Sequence, residues 1–107
     1  MTLLYDERTG RHYLLKQPQD SRLYAMDFAS LLGSDTIASV QSVTAEAEGR
    51  VGGAASLTVG APTVNGTKVE VRIDGGSHGE NYKVTVVIQT TGGDTLEGDG
   101  WLYVRDL

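Results

Sequence analysis

The sequence has no cysteine, two prolines, one tryptophan and one phenylalanine in 107 residues. Without cysteine neither a disulfide framework nor a thiolate metal site can form, and the fold is compatible with a reducing cytosol. Aromatics make up 7% of the chain, so the core has to be built mainly from Val, Leu, Ile and Ala. Basic charge is scarce: nine Lys and Arg stand against 14 Asp and Glu, a formal charge of −5. No basic stripe is left to release counterions from a phosphate backbone, so nucleic acid is not an expected partner. Long apolar runs are missing too. Neither a signal peptide at MTLLYDERTGR nor a membrane span is expected.

Glycine is abundant, with 14 residues, and Thr and Ser are frequent, the mix of short strands joined by tight turns. A chain of this length makes one domain and buries roughly 65% of its unfolded surface. Residues 12–107 read as that domain. Residues 1–11 read as an N-terminal segment whose apolar Leu3, Leu4 and Tyr5 form either an edge strand or a docking arm for a neighbour.

The centre of the chain is Thr67 to Thr91. Val69, Val71 and Ile73 alternate with charged residues, and Tyr82, Val84, Val86 and Ile88 repeat the pattern, giving two strands with one apolar face each. GGSHGEN between them suits a crossing from one sheet to the other. Tyr82, opening a strand just after it, is expected to form a tyrosine corner, its hydroxyl bonding back to the loop backbone; the alternative is a plain core aromatic.

Elsewhere HYLLK and RLYAMDF read as strands separated by a turn at Pro18, with Tyr24, Met26 and Phe28 on one face. Asp27 is placed to cap a single helical turn closed by a left-handed Gly33, with Leu31 and Leu32 as its plug. TIASVQSVTA is a strand by propensity, although Ile37, Val40 and Val43 recur every three residues. EAEGRVGGAAS is a loop. Leu57 to Val64 is a strand made irregular by Pro62. Asn65 and Gly66 signal a type I′ hairpin turn, and Gly92-Gly93-Asp94 a second hairpin. EGDG, from Glu97 to Gly100, is expected to bulge before WLYVR resumes alternation. About seven short strands and one short helical turn predict an all-β, Ig-like antiparallel sandwich.

Candidates for chemistry are few. Ser77 and His78 are adjacent on one loop and lack the strained turn that exposes a nucleophile, so an esterase is a remote reading. His12 has no second ligand at metal spacing. Asp94, Glu97 and Asp99 could meet a calcium ion, but their spacing fits neither calcium-loop pattern, and a solvated turn is the simpler reading. No catalytic residue, metal or cofactor is expected. Trp101 and Tyr103 share one parity of the last strand, Leu102 and Val104 the other. Either one aromatic packs at the end of the sandwich, or the pair belongs to a partner surface.

Several short motifs occur in a telling order. Lys16, Pro18 and Asp20 precede Tyr24, then come Met26-Asp27-Phe28, Leu32-Gly33 and Asp35-Thr36-Ile37. A valine-rich strand at Val69 to Ile73, Gly75-Gly76 with Gly79 and Tyr82, Val84-Thr85-Val86 and a terminal Val104-Arg105-Asp106 follow. Together these resemble the phage fiber-tail adaptor proteins, small virion proteins of tailed phages and prophages. The resemblance implies an Ig-like sandwich with a structural, non-enzymatic role in tail, neck or fiber attachment. It also implies synthesis in the bacterial host cytoplasm and assembly in several copies, as a homo-oligomeric ring against other tail, neck or fiber proteins. Surplus apolar residues make Leu3, Leu4, Tyr5, Trp101 and Tyr103 the candidate interface. A carbohydrate-binding sandwich is the alternative from another class. The segment 1–10, the EAEGRVGGAAS loop and EGDG depart from the pattern.

Overall fold

Nine strands and one helical turn follow in chain order: β1 (Leu4–Asp6), β2 (Arg11–Lys16), β3 (Arg22–Asp27), α1 (Ala29–Leu32), β4 (Ile37–Ala47), β5 (Leu57–Val59), β6 (Thr63–Asn65), β7 (Lys68–Gly75), β8 (Asn81–Thr90) and β9 (Thr95–Val104). The structure is a computed structural model and describes residues 4–6, 11–48 and 57–106, with residues 4–6 and 11 as backbone only. Its strands form two sheets, β1-β2-β9-β8-β4 and β3-β7-β5, with β6 also paired to β7. The trio β4-β8-β9 facing β3-β7-β5 is the immunoglobulin arrangement of two packed sheets. Leu4–Asp6 is a sheet edge, paired antiparallel to β2. No helix among the described residues is long and apolar enough to cross a membrane.

Alternation sets the core. Val69, Val71 and Ile73 of β7 meet Tyr82, Val84, Val86 and Ile88 of β8, and all seven are buried. They divide into two clusters, one with Tyr24, Leu102 and Val104, the other with Phe28 and Leu32. Leu31, expected beside Leu32 in the plug, is 57% exposed, because a single turn presents only one of two adjacent residues inward.

Two expectations change at the level of strands. The strand count is nine among the described residues rather than seven, partly because Leu57 to Val64 breaks at Gly60 to Pro62 into β5 and β6. EGDG does not bulge: β9 pairs with β8 in unbroken register from Thr95 to Tyr103. Its glycines mark a close approach instead. A Cβ on Gly98 would lie 2.6 Å from Met26 Sδ and 2.9 Å from Phe28 Cζ. The bulges are in β4, where register slips by one between Ile37 and Ser39 and again between Val40 and Ser42. Each slip re-phases the strand, so Ile37, Val40 and Val43 all pack on the core despite their spacing.

Lys16 holds the two sheets together at one end. It is fully buried, and its ammonium donates to the carbonyls of Gln17 at 2.8 Å, Pro18 at 3.4 Å and Gly75 at 2.5 Å. Burial lowers its pKa from the ordinary 10.5, while Asp20 and Asp74 oppose the shift.

Candidate functional site

The outer face of the five-stranded sheet carries more apolar surface than the core requires. β2 runs parallel to β9 with Tyr13 opposite Trp101, Leu14 opposite Leu102, and Leu15 opposite Tyr103. Leu102 and Val104 are buried between the sheets, so strand alternation turns Tyr13, Leu15, Trp101 and Tyr103 outward. The rings of Tyr13 and Tyr103 stack, with centroids 4.1 Å apart and planes 13° from parallel. Lys83 Nζ lies 6.0 Å from the centre of the Trp101 ring, and the Arg105 guanidinium 5.2 Å from that of Tyr103. Arg105 is pinned there by donating to the carbonyls of Glu80 and Val104 and to the Asn81 side chain.

These contacts treat the two expected interface aromatics differently. Tyr103 is 4% exposed, covered on the outside by neighbouring side chains, whereas Trp101 stays half-buried. Leu3 falls outside the described residues. Leu4 and Tyr5 lie in β1 at register positions opposite Tyr13 and His12. Tyr13 was not singled out in the sequence, although HYLLK carries apolar residues on both parities, as WLYV does.

The residues expected to shape turns are found at turns, with altered chemistry. Tyr82 is fully buried at the start of β8, and its hydroxyl donates to a side chain of the loop, Glu80 Oε1, at 2.8 Å. The same oxygen accepts the Ser77 N–H at 2.6 Å, so a carboxylate ties the ring to the loop. Asp27 accepts from the Ala29 N–H and the Thr67 hydroxyl, both at 2.9 Å; Phe28 rather than Asp27 occupies the cap position of α1. The bond from Ala29 is the main cause holding the Asp27 pKa below 3.8. Gly33 has φ 61° but ψ −117°, so only its φ matches a left-handed cap.

The β6–β7 turn is displaced by one residue. Asn65 pairs with Lys68, which leaves Gly66 and Thr67 as the loop. Gly66 has φ 63°, and no non-glycine among the described residues has a positive φ. That sign pattern belongs to a type II′ turn, with glycine first, and excludes type I′. The Asn65 amide donates instead to Glu70 at 3.1 Å.

The possible chemistry is equally specific. His78 Nδ1 accepts the Asp106 N–H at 2.8 Å, which holds the end of the chain against the loop and occupies the nitrogen nearest the backbone. Asp99 accepts from the Thr85 hydroxyl. Among the described residues no three His, Asp or Glu side chains converge to hold a metal ion.

The family model for the podophage GP4 fiber-tail adaptor protein gp77 matches residues 16–103. The chain belongs to this family. The match takes in β3 through nearly all of β9 and starts at the buried Lys16, whereas β1 and β2 up to Leu15 lie before it. The stacked pair of this chain thus joins Tyr103, inside the matched region, to Tyr13, outside it. No curated protein matches the chain.

Proposed function

We propose that the chain is a non-enzymatic adaptor that attaches a fiber to a phage tail through protein–protein contacts on the outer face of the five-stranded sheet. The family match supports the adaptor role. The single observation that points to this face is Trp101, left half-buried beside a stacked aromatic pair that core packing does not use. Trp and Tyr anchors ringed by polar groups are what protein interfaces use as hot spots. In this reading the adaptor is made in the bacterial host, enters the virion in several copies, and closes a ring by head-to-tail contact. A carbohydrate platform needs several exposed rings on one flat face; with Tyr103 at 4% exposure, the face favours protein contact.

The test is complementation of a phage lacking this gene with Trp101→Ala, with Tyr13→Ala, and with residues 1–10 deleted. Circular dichroism reports the fold and particle composition reports incorporation. Loss of incorporation with the fold intact is expected for Trp101→Ala. Normal incorporation of all three variants overturns this docking face.

A further inference from the structure

Among the described strands, β1, β5 and β6 are short edges of three residues each, and β4 carries two register slips before an unbroken run from Ser42 to Ala47. β3 is a regular edge along its whole length. It pairs only with β7, over six residues without a slip, and contains no Pro or Lys. Natural sheets usually protect such an edge, because its unpaired backbone groups will accept another strand. The phase of the edge is fixed by two bonds. The Phe28 N–H donates to Thr67 O at 2.9 Å and the Gly60 N–H to Arg72 O at 2.8 Å. By alternation, Arg22, Tyr24 and Met26 bond to β7, while the N–H and C=O groups of Leu23, Ala25 and Asp27 point away from it.

A cavity lies beside this edge. Gly98 and Gly100 of β9 are the residues against which Met26 and Phe28 pack, so β3 sits over β9 and the larger sheet extends past it by β2 and β1. The space there, about 60 Å³, is lined by Leu14, Tyr24, Met26, Gly100, Trp101 and Leu102 among others. Tyr24 is 5% exposed, yet its hydroxyl has no hydrogen-bond partner. A buried hydroxyl without a partner is costly.

We propose that β3 is a strand-addition site. An extended segment of a fiber or tail protein pairs with β3 through Leu23, Ala25 and Asp27. One small side chain with a hydrogen-bond acceptor, such as Thr, enters the cavity and meets the Tyr24 hydroxyl. Backbone pairing supplies affinity and the cavity supplies register. The cavity is well under the roughly 150 Å³ that accepts benzene, which limits the entering side chain to a few heavy atoms. Leu23, 48% exposed, and Ala25 carry no charge, so the centre of the incoming strand is neutral. The inference rests on the adaptor reading and specifies its mode of recognition.

The experiment uses full-length Ala25→Pro and Tyr24→Phe in the complementation assay, beside Trp101→Ala. Proline at Ala25 removes an amide that β7 does not use, so the isolated protein keeps its fold; Ala25→Lys substitutes if it does not. Incorporation is expected to fall at least tenfold for the Ala25 variant and severalfold for Tyr24→Phe, with melting temperatures at or above that of the parent. Amide exchange at Leu23, Ala25 and Asp27 should slow in particles relative to the free protein. Normal incorporation of Ala25→Pro or Ala25→Lys overturns the inference, and if Trp101→Ala fails in the same assay the adaptor reading stands without it. Sedimentation of the free chain as a dimer that Ala25→Pro dissociates makes the occupant a second copy and also overturns it.

Discussion

The ammonium of Lys16 lies 2.5 Å from the carbonyl oxygen of Gly75, 59 residues further along the chain and in the opposite sheet. Together with the carbonyls of Gln17 and Pro18 it makes a cage for one charge at the closed end of the sandwich. Asp20 completes the turn by accepting the Gln17 N–H. The K-x-P-x-D motif is therefore a device for burying a lysine.

Lys16→Met should destabilise the domain by about 2 to 3 kcal/mol, because methionine fills the space but leaves buried carbonyls without a donor. Lys16→Arg should also be destabilising, since a planar fork does not fit three carbonyls arranged around a point charge. Urea melts decide it. A Lys16→Met midpoint equal to the parent's would show that the cage contributes nothing net.

Tyr82→Phe should cost about 1.5 to 3 kcal/mol, the range for a hydrogen bond with a charged acceptor. Glu80→Gln keeps an acceptor and should cost less. Equal losses in the two variants, measured by chemical denaturation, would mean that the carboxylate acts through the loop and not through the tyrosine.

Gly98→Ala should destabilise by about 1 to 3 kcal/mol through overpacking. The flexible end of Met26 can move, but the buried Phe28 ring, 2.9 Å from the added methyl, cannot move easily. Combining Gly98→Ala with Phe28→Leu should recover part of the loss, and strictly additive melts would rule out the contact as the cause.

Asp27 and Asp35 both have carboxyls held below the ordinary 3.8, chiefly by backbone bonds from Ala29 and Thr36 respectively. A depressed folded pKa gives stability that is complete above the unfolded value and is lost as pH falls through the folded one. Stability should therefore decline from just above pH 4 downward. Asp27→Asn and Asp35→Asn should each flatten that slope in melts taken from pH 6 to pH 2, and an unchanged slope would remove these carboxylates from the acid response.

The two central strands could be read because Val69 to Ile73 and Tyr82 to Ile88 have one wet face and one dry face, and period two states that directly. β4 was ambiguous for a physical reason. Two extra residues shift its phase, so a strand shows a spacing of three. Glycine misled in β9, where it can signal a bulge or a close neighbour, and only the position of Met26 and Phe28 in the other sheet separates the two. Lys16 looked like a strand end because its three acceptors are backbone carbonyls, one of them 59 residues away, and carbonyls carry no residue identity. Trp101 and Tyr103 showed their surplus as apolar residues on both parities, but the partner that buries Tyr103, Tyr13, is almost the whole chain away.

The pairing of Tyr13 with Trp101 joins positions 88 residues apart (101 − 13), in parallel and within the same sheet. Such a contact closes a very long loop, so the entropic barrier to forming it is met late and folding is slow relative to a chain with local pairings. During synthesis β2 emerges early and has no β9 beside it until nearly all of the domain has left the ribosome. Until then Leu14 and Leu15 are exposed, and the nascent chain is open to mispairing with its neighbours. The sandwich is thus complete only when β9 arrives, and the pairing of β9 with β2 is the step that ends the exposure of β2.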